Sequence, residues 1–364
     1  MDEDFNFYKL DNRQKECYLE SFHSKGTCSF LTGGMCGDIY LVDQGVNTHP
    51  RYTCIKVPKP LKNVSDAETA NRFVKELKLQ LSFYHNRFVH WAFDFDSAFN
   101  VPIACFRYWE NDLGNIIRTS QPNQVKKLSI MVYTCIGLRN CYSNGLVAHQ
   151  DLKPSNIFIQ NIKNDFVGLP DLEIYDFAFV ADFGLANAFI DYGVFDGERP
   201  YMSPEQWNKC RLSQASDIFA LGVIFFELIT NGFHPVGIKL SDFYPTPQIK
   251  HSKKWTRPDA WQRWVKDGCQ ITLPTGLNID TDTLEFIEKM LSIQPSDRPN
   301  LNEVIEFLLK QIKDISEESH FQLDYLINYF DQQSSTYTNL ETDWPYLFGR
   351  WEKFRKQYEN NTIS

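Results

Sequence analysis

Between His149 and Asn156 the chain reads His-Gln-Asp-Leu-Lys-Pro-Ser-Asn, and this octapeptide restricts the fold more than any other stretch. Pro154 has no amide hydrogen and clashes with a helix interior, so the segment must be a rigid loop. The loop gathers a carboxylate (Asp151), a cation (Lys153) and a carboxamide (Asn156) within six residues. Those groups suit a defined chemistry: one orients an attacking hydroxyl, one meets a moving phosphoryl group, and one ligates a metal. Ala181-Asp182-Phe183-Gly184 follows, with Asp182 placed 26 residues after Asn156 and behind the apolar run Phe177 to Val180. An aspartate at a strand end beside a glycine can present its oxygens to Mg²⁺. Asp-Phe-Gly alone is weak, but its order and spacing behind the loop give it weight.

The periodicity around these segments changes along the chain. Residues 1–25 are polar and show no clear period. From about 28 to 57 apolar residues alternate around a glycine cluster and end in Tyr52-Thr53-Cys54-Ile55-Lys56-Val57, which predicts strands. Phe73, Leu77, Leu81 and Tyr84 recur at helical spacing over 66–84, with Asp66 and Glu68 suited to the N-terminal end. Strands are predicted near 88–95 and 101–109, and a hinge near 107–112. Helices dominate beyond 112, interrupted by strands near 157–160 and 177–181. The apolar helix 214–231 closes on Asn231-Gly232. One aromatic, polar helical stretch is predicted from about 320 to 358, docked through Trp344, Tyr346, Phe348, Trp351 and Phe354 on the larger lobe, or else serving as a partner-binding or self-inhibiting tail. Strands first and helices later read as α+β with segregated lobes.

Composition narrows the partners. The 364 residues carry a net charge of −9, which counts against nucleic acid and anionic membrane surfaces. Lys250, Lys253, Lys254 and Arg257 form a local basic run around Trp255. It reads as a solvated loop, or else as a dock for an acidic partner. The nine cysteines are scattered without a CxxC pair, so neither a disulfide framework nor a zinc site is expected. Reduced thiols, an acidic start (Met1-Asp2-Glu3-Asp4) and no apolar run near the ~20 residues of a membrane span point to a cytoplasmic protein.

The motifs together resemble the eukaryotic-type protein kinase family, with its HRDLKPxN, DFG and APE elements. Here they read HQDLKPSN, ADFG and, at Ser203-Pro204-Glu205, SPE. Thr53-Cys54-Ile55-Lys56 is similar to the VAIK strand, and Glu76 to the partner glutamate of the next helix. Ser216-Asp217 to Gly222 and Asp297-Arg298-Pro299 continue the match, which covers about residues 28–310. The resemblance implies a bilobal α+β fold: a small β-rich lobe (about 28–108) and a large helical lobe (about 109–310). Residues 1–27 and 311–364 are then extensions.

The resemblance also implies ATP and Mg²⁺ as cofactors and a protein substrate. Lys56, steadied by Glu76, should hold the α- and β-phosphates. Asp151 should orient the substrate hydroxyl, Lys153 should meet the γ-phosphate, and Asn156 and Asp182 should bind Mg²⁺. Gly34 and Gly37 belong to the phosphate-cradling loop. Ile39, Cys54 and Phe158 should sandwich adenine, with Phe106 as gatekeeper, the backbone of Arg107, Tyr108 and Trp109 at the adenine edge, and Asp112 near the ribose. Asp217 should be buried and fix the catalytic-loop backbone, and Arg298 should pair with Glu205. Lys153 in DLKPxN is the Ser/Thr version of the loop.

Five positions depart from the family pattern. Thr32 stands at the first glycine of the cradle and Cys36 at its tip. Gln150 replaces the arginine that pairs with a phosphorylated activation loop, and no threonine lies between Asp182 and Glu205. Independence from activation-loop phosphorylation follows, with Tyr192→Phe and Tyr201→Phe expected to be silent. Glu198 stands where Ser/Thr kinases have a threonine, and can pair with Lys153. Gln80 falls where the family packs an apolar residue, unless the register slips by one. These departures motivate the alternative of a pseudokinase or scaffold with weak nucleotide binding; the full set Lys56, Glu76, Asp151, Asn156 and Asp182 opposes it.

Overall fold

The computed structural model describes residues 6–22, 26–60, 64–248, 253–337 and 339–359. In chain order the strands are β1 (Thr27–Gly33), β2 (Gly37–Asp43), β3 (Tyr52–Pro58), β4 (Asp94–Ala98), β5 (Val101–Arg107), β6 (Asn111–Asp112), β7 (Ile157–Asn161), β8 (Asp176–Val180), β9 (Phe233–His234) and β10 (Ile238–Lys239). The first helices are α1 (Asn12–Phe22), α2 (Asp66–Leu81), α3 (Leu113–Thr119), α4 (Gln124–Ser143), α5 (Ala188–Asp191), α6 (Pro204–Trp207) and α7 (Gln214–Ile229). There follow α8 (Leu240–Phe243), α9 (Pro258–Lys266), α10 (Thr281–Met290), α11 (Leu301–Ile315), α12 (Glu317–Thr336), α13 (Leu340–Asp343) and α14 (Pro345–Glu359). The chain divides into two compact units: Met1–His85, His90–Tyr108 and Gln333–Ser364 form the first, and Asn86–Val89 with Trp109–Gln332 the second.

The first unit is an antiparallel sheet in the order β1-β2-β3-β5-β4. Side chains alternate across it, as the two-residue period of a strand requires. Tyr40, Val42, Ile55, Val57, Ile103 and Cys105 face one way, into a core closed by Phe7 and Leu19. Cys54, Ala104 and Phe106 face the other way, with Ile39 and Leu41, against Phe73, Val74 and Leu77 of α2. Ser65 starts α2 by accepting the amide of Glu68. Lys56 lies one strand period from Cys54 and opposite Ile39, so the pleat turns it to the α2 face.

Residues 1–25 do contain a helix. α1 escapes a periodicity reading because, among its described residues, only Leu19 is a buried apolar one, while its polar residues act on a strand. Glu16 and Glu20, one turn apart, accept the β1 amides of Phe30 (2.6 Å) and Cys28 (2.8 Å), residues two apart. The helix thereby covers backbone groups of an edge strand.

The C-terminal stretch also differs from expectation. It is three helices, α12, α13 and α14. α14 lies on α2 and β4 of the first unit, not on the helical unit: Leu347, Trp351, Phe354 and Tyr358 enter the same core as Phe73 and Leu77. Arg350 fixes it by pairing with Asp94 at 2.6 Å and donating to the Phe95 carbonyl. The strand predicted at 88–95 begins only at Asp94, because Phe88 and Val89 belong to the second unit. There Phe88 stacks on Tyr133 and contacts Phe177, and Val89 bridges to Val180.

In the second unit α4 is buried around most of its circumference, between α11, α7 and β8. The small sheet β6-β7-β8 frames the loop 149–156, where Pro154 opens a 3₁₀ turn. Positive φ at Asn231 (56°) and Gly232 (103°) ends α7. Lys250 of the basic run lies outside the described residues. Of the rest, Trp255 is buried under the Lys254 ammonium and accepts from the indole of Trp261, so this stretch is partly a structural turn. Among the described residues no disulfide forms, and no helix is long and apolar enough to cross a membrane.

Candidate active site

The loop 149–156 is held from below by one carboxylate. Asp217 of α7 is 1% exposed, which is costly for a charge unless hydrogen bonds compensate it. It accepts three: from the His149 amide (2.7 Å), the Gln150 amide (3.1 Å) and the Tyr142 hydroxyl (2.8 Å). Burial raises its pKa against these donors. The anchored amides let Gln150 adopt a φ of 73°. His149 is fully buried and donates from Nε2 to the Ala181 carbonyl, and the Ala181 amide donates to the Asn156 carbonyl. The loop and the Asp182 segment are therefore tied at the residue preceding Asp182, whose own φ is 59°.

Asp151, Lys153 and Asn156 converge above this anchor. Asn156 donates from Nδ2 to the Asp151 carbonyl (2.9 Å) and to Oδ2 (3.2 Å). Lys153 Nζ lies 3.0 Å from Asp151 Oδ2 and 3.1 Å from Glu198 Oε2. The Glu198 amide donates to Asp151 Oδ1 at 2.8 Å. Burial raises the Asp151 pKa, Lys153 opposes it, and the charges of Asp182 and Glu198 add to it. For Lys153, burial lowers the pKa but Asp151 and Glu198 outweigh it, so the lysine stays fully charged.

In the first unit Lys56 meets Glu76 Oε1 at 2.6 Å, both nearly excluded from solvent. Gly37 makes room for this lysine: a Cβ there would stand 2.8 Å from the Val57 carbonyl and 3.2 Å from the Lys56 stem. The Gly34 amide donates to the Gly37 carbonyl at 2.8 Å and closes the turn between β1 and β2. Ile39, Cys54, Lys56 and Phe106 share the α2 face, with Tyr108 packed beside it. Trp109, Asp112 and Phe158 belong to the second unit. Trp109 stacks on Phe179 at 4.9 Å, and Phe158 pairs across the sheet with Asp112 and Phe179. Asp112 caps α3 by accepting the Asn115 amide, so one of its oxygens is engaged in the helix start. Gln80 is buried, 1% exposed. It lies one turn after Glu76 and donates to the same Oε1 at 3.0 Å.

The segment after Asp182 is held by uncharged groups. Gln150 donates to the carbonyls of Val194 (2.7 Å) and Asp196 (3.1 Å), and accepts from the Phe189 amide. Gln206 donates to the carbonyls of Gln150 and Asp196. Only glycine fits at 197, where a Cβ would lie 2.6 Å from Gln206 Nε2. Arg298 forms a two-bond pair with Glu205, at 2.7 and 2.9 Å, behind this segment. Tyr201 donates to the buried Glu227 at 2.7 Å. A phenylalanine there removes that bond, so Tyr201→Phe probes the fold as well as phosphorylation. Gln206 and Tyr244 (which donates to Glu198) escape a sequence reading, Tyr244 because 46 residues separate it from its partner and no short motif marks it.

Asn156 and Asp182 are hard oxygen donors, and the hydrogen bonds from Asn156 Nδ2 turn its amide oxygen away from Asp151. Mg²⁺ is commonly held by one or two such groups together with substrate phosphates, so the residues fit that ion. Among the described residues no three His, Cys, Asp or Glu side chains form a metal cage of their own.

A protein kinase domain model matches residues 33–308. The chain belongs to the protein kinase family and has its α+β fold. Its relatives include the serine/threonine-protein kinase pkn3 of Myxococcus xanthus, 30% identical over 179 residues, which are 46% of this chain and 31% of the relative. Human serine/threonine-protein kinase Nek2 is 27% identical over 49% of this chain and 35% of its own length. Serine/threonine-protein kinase PrkC of Bacillus subtilis is 28% identical over 55% and 29%. The chain spans about a third of the length of these relatives.

Proposed function

We propose that this chain transfers the γ-phosphoryl group of ATP, with Mg²⁺, to Ser or Thr hydroxyls of proteins, and does so without phosphorylation of the segment 182–205. The observation that carries the first part is the loop geometry: Lys153 and Asn156 both bond to Asp151 on a backbone anchored by Asp217. Such preorganisation is what phosphoryl transfer requires of a protein, since the chemistry is mainly positioning and charge. Asp151 orients the acceptor hydroxyl and takes up its proton, and its raised pKa brings it nearer the working range of a base. Lys153 meets the γ-phosphate. Lys56, held by Glu76, meets the α- and β-phosphates as a compact point charge. Mg²⁺, when bound at Asn156 and Asp182, neutralises phosphate charge. The acceptor type rests on the Ser/Thr kinases among the relatives and on Lys153 in the loop.

Independence from phosphorylation is supported by Gln150. A phosphate acts on such segments by recruiting an arginine, and a neutral amide cannot make that pair. Here the amide bonds directly to backbone carbonyls of the segment.

The test is incubation of purified protein with labelled ATP, Mg²⁺ and a basic protein substrate, beside Asp151→Asn and Tyr192→Phe. Label on Ser or Thr, lost in the first variant and kept in the second, supports the reading. Loss of label in Tyr192→Phe would sink the phosphorylation-independent part. No label from a folded wild type that binds nucleotide weakly would favour the scaffold alternative.

A further inference from the structure

We propose that Glu198 is a built-in competitor for the nucleotide's terminal phosphate at Lys153, clamped in that position by Tyr244. The inference rests on the kinase reading above and adds a residue that sets how firmly a γ-phosphate is held.

Three observations carry it. First, the Lys153 ammonium has three donors, and two already reach carboxylate oxygens: Asp151 Oδ2 at 3.0 Å and Glu198 Oε2 at 3.1 Å. Asp151 is needed on the loop whatever is bound, so Glu198 is the dispensable partner. Second, Glu198 is not a loose surface side chain. Its amide is fixed on Asp151 Oδ1 at 2.8 Å, and its second oxygen, Oε1, accepts from the Tyr244 hydroxyl. Exposed ion pairs are weak partly because two mobile chains must be ordered; here that ordering is already present. Third, the clamp has a rigid base. The Tyr244 ring packs edge-on against Trp261, which is fully buried and bonded to the Trp255 carbonyl. The chain from Trp261 through Tyr244 and Glu198 to Lys153 is continuous.

The electrostatic consequence is specific. A terminal phosphate can reach Lys153 only by taking the place of Glu198 or by sharing the ammonium with it, and like charges that close together repel. Asp182 adds further negative charge beside Asp151, while Arg199 is engaged with the Thr256 carbonyl. A nucleotide without a terminal phosphate does not make this demand. The glutamate therefore discriminates against the γ-phosphate and not against the nucleotide as a whole.

Calorimetric titration with Mg·ADP and with the non-hydrolysable β,γ-imido analogue of ATP tests this on wild type, Glu198→Gln and Tyr244→Phe. Glutamine keeps the shape and the main-chain bond to Asp151 and removes only the charge. The expected result is about a tenfold gain in affinity for the analogue in Glu198→Gln, ADP changing less than about twofold, and a smaller gain of the same kind in Tyr244→Phe. ADP binding in each variant also reports that the fold is intact. Equal gains for both nucleotides, or no gain for the analogue, would overturn the inference and leave the kinase reading standing. Failure of wild type and variants alike to bind either nucleotide would remove the kinase reading, and the inference with it.

Discussion

Lys56 and Lys153 are the two cations the proposed reaction depends on, and the two units treat them in opposite ways. Lys56 shares one carboxylate oxygen with a neutral donor: Glu76 Oε1 takes Lys56 at 2.6 Å and the Gln80 amide at 3.0 Å. Lys153 is itself shared, between Asp151 at 3.0 Å and Glu198 at 3.1 Å. The first arrangement spreads the charge of that carboxylate oxygen over two donors. The second sets two negative charges on one lysine and leaves it largely cancelled. A strand and a helix fix the first geometry, and a loop and a distant tyrosine fix the second.

The largest expected effect tests that contrast directly. Lys56→Met should lower kcat/KM by about 10²–10³-fold, the usual scale for losing one preorganised charge at a developing anion. Lys153→Met should cost less, because Glu198 already offsets much of its field. Steady-state rates with labelled ATP measure both. Equal losses, or a larger loss at Lys153, would break the comparison.

The next effect concerns what holds each lysine's partner. Glu76 rides on α2, and α2 packs against α14, where Trp351 is 5% exposed and lies 5.2 Å from the Phe95 ring. Trp351→Ala should cost about 3–5 kcal/mol of stability by cavity formation. It should also raise KM for ATP, since the helix that carries Glu76 loses its backing. On the second unit, Arg298→Ala leaves Glu205 buried without its partner and should cost a similar ~3–5 kcal/mol. Denaturant midpoints give both values. A Trp351→Ala protein with lower stability and unchanged KM would show that α14 supports the fold without supporting Glu76.

These positions also mark what the sequence makes legible. The loop residues, Lys56, Glu76, Asp217 and the Arg298 pair are legible because each lies in a short motif that resembles one of the kinase family. The alternation around Lys56 even fixes which face of the sheet it occupies. Hidden were contacts made across long separations without a motif. The hydroxyl of Tyr244 on Glu198 is one, and the glutamates of α1 on the β1 amides are another, because their helix presents polar rather than apolar residues to its partner. The placement of α14 failed for a related reason: an aromatic face shows that a helix must dock, and says nothing of where.

The units differ again in what their interiors titrate. In the first, burial pushes the thiols of Cys28, Cys54 and Cys105 up to about 12, outside the range in which stability is usually measured. In the second, burial raises Glu227 to about 7 and lowers His234 to about 4. The stability linked to Glu227 is complete below 4.5 and lost as pH rises through about 7. That linked to His234 is complete above 6.5 and lost as pH falls through about 4. Between 4.5 and 6.5 the two slopes oppose. Glu227→Gln removes one of them, so the variant should lose on the order of 3 kcal/mol more than wild type on going from pH 6.5 to 4.5. Parallel stability profiles for the two proteins would show that these groups do not titrate against each other.

The smallest expected effect is at Gln80, the neutral half of the Lys56 arrangement. Its side chain is 1% exposed, its Nε2 donates to Glu76, and its Oε1 has no hydrogen-bond partner among the described atoms. Gln80→Leu gives up a bond to a carboxylate, worth ~1.5–3 kcal/mol, and removes a buried acceptor that costs ~1–3 kcal/mol unpaired. The two changes nearly cancel, so stability should move by less than about 1 kcal/mol. Glu76 keeps its bond to Lys56 through the substitution, and kcat/KM should stay within about twofold. A loss on the scale of Lys56→Met would show that Lys56 works only while the amide holds its partner, and the cation of the first unit would then depend on a neutral group as closely as that of the second depends on a charge.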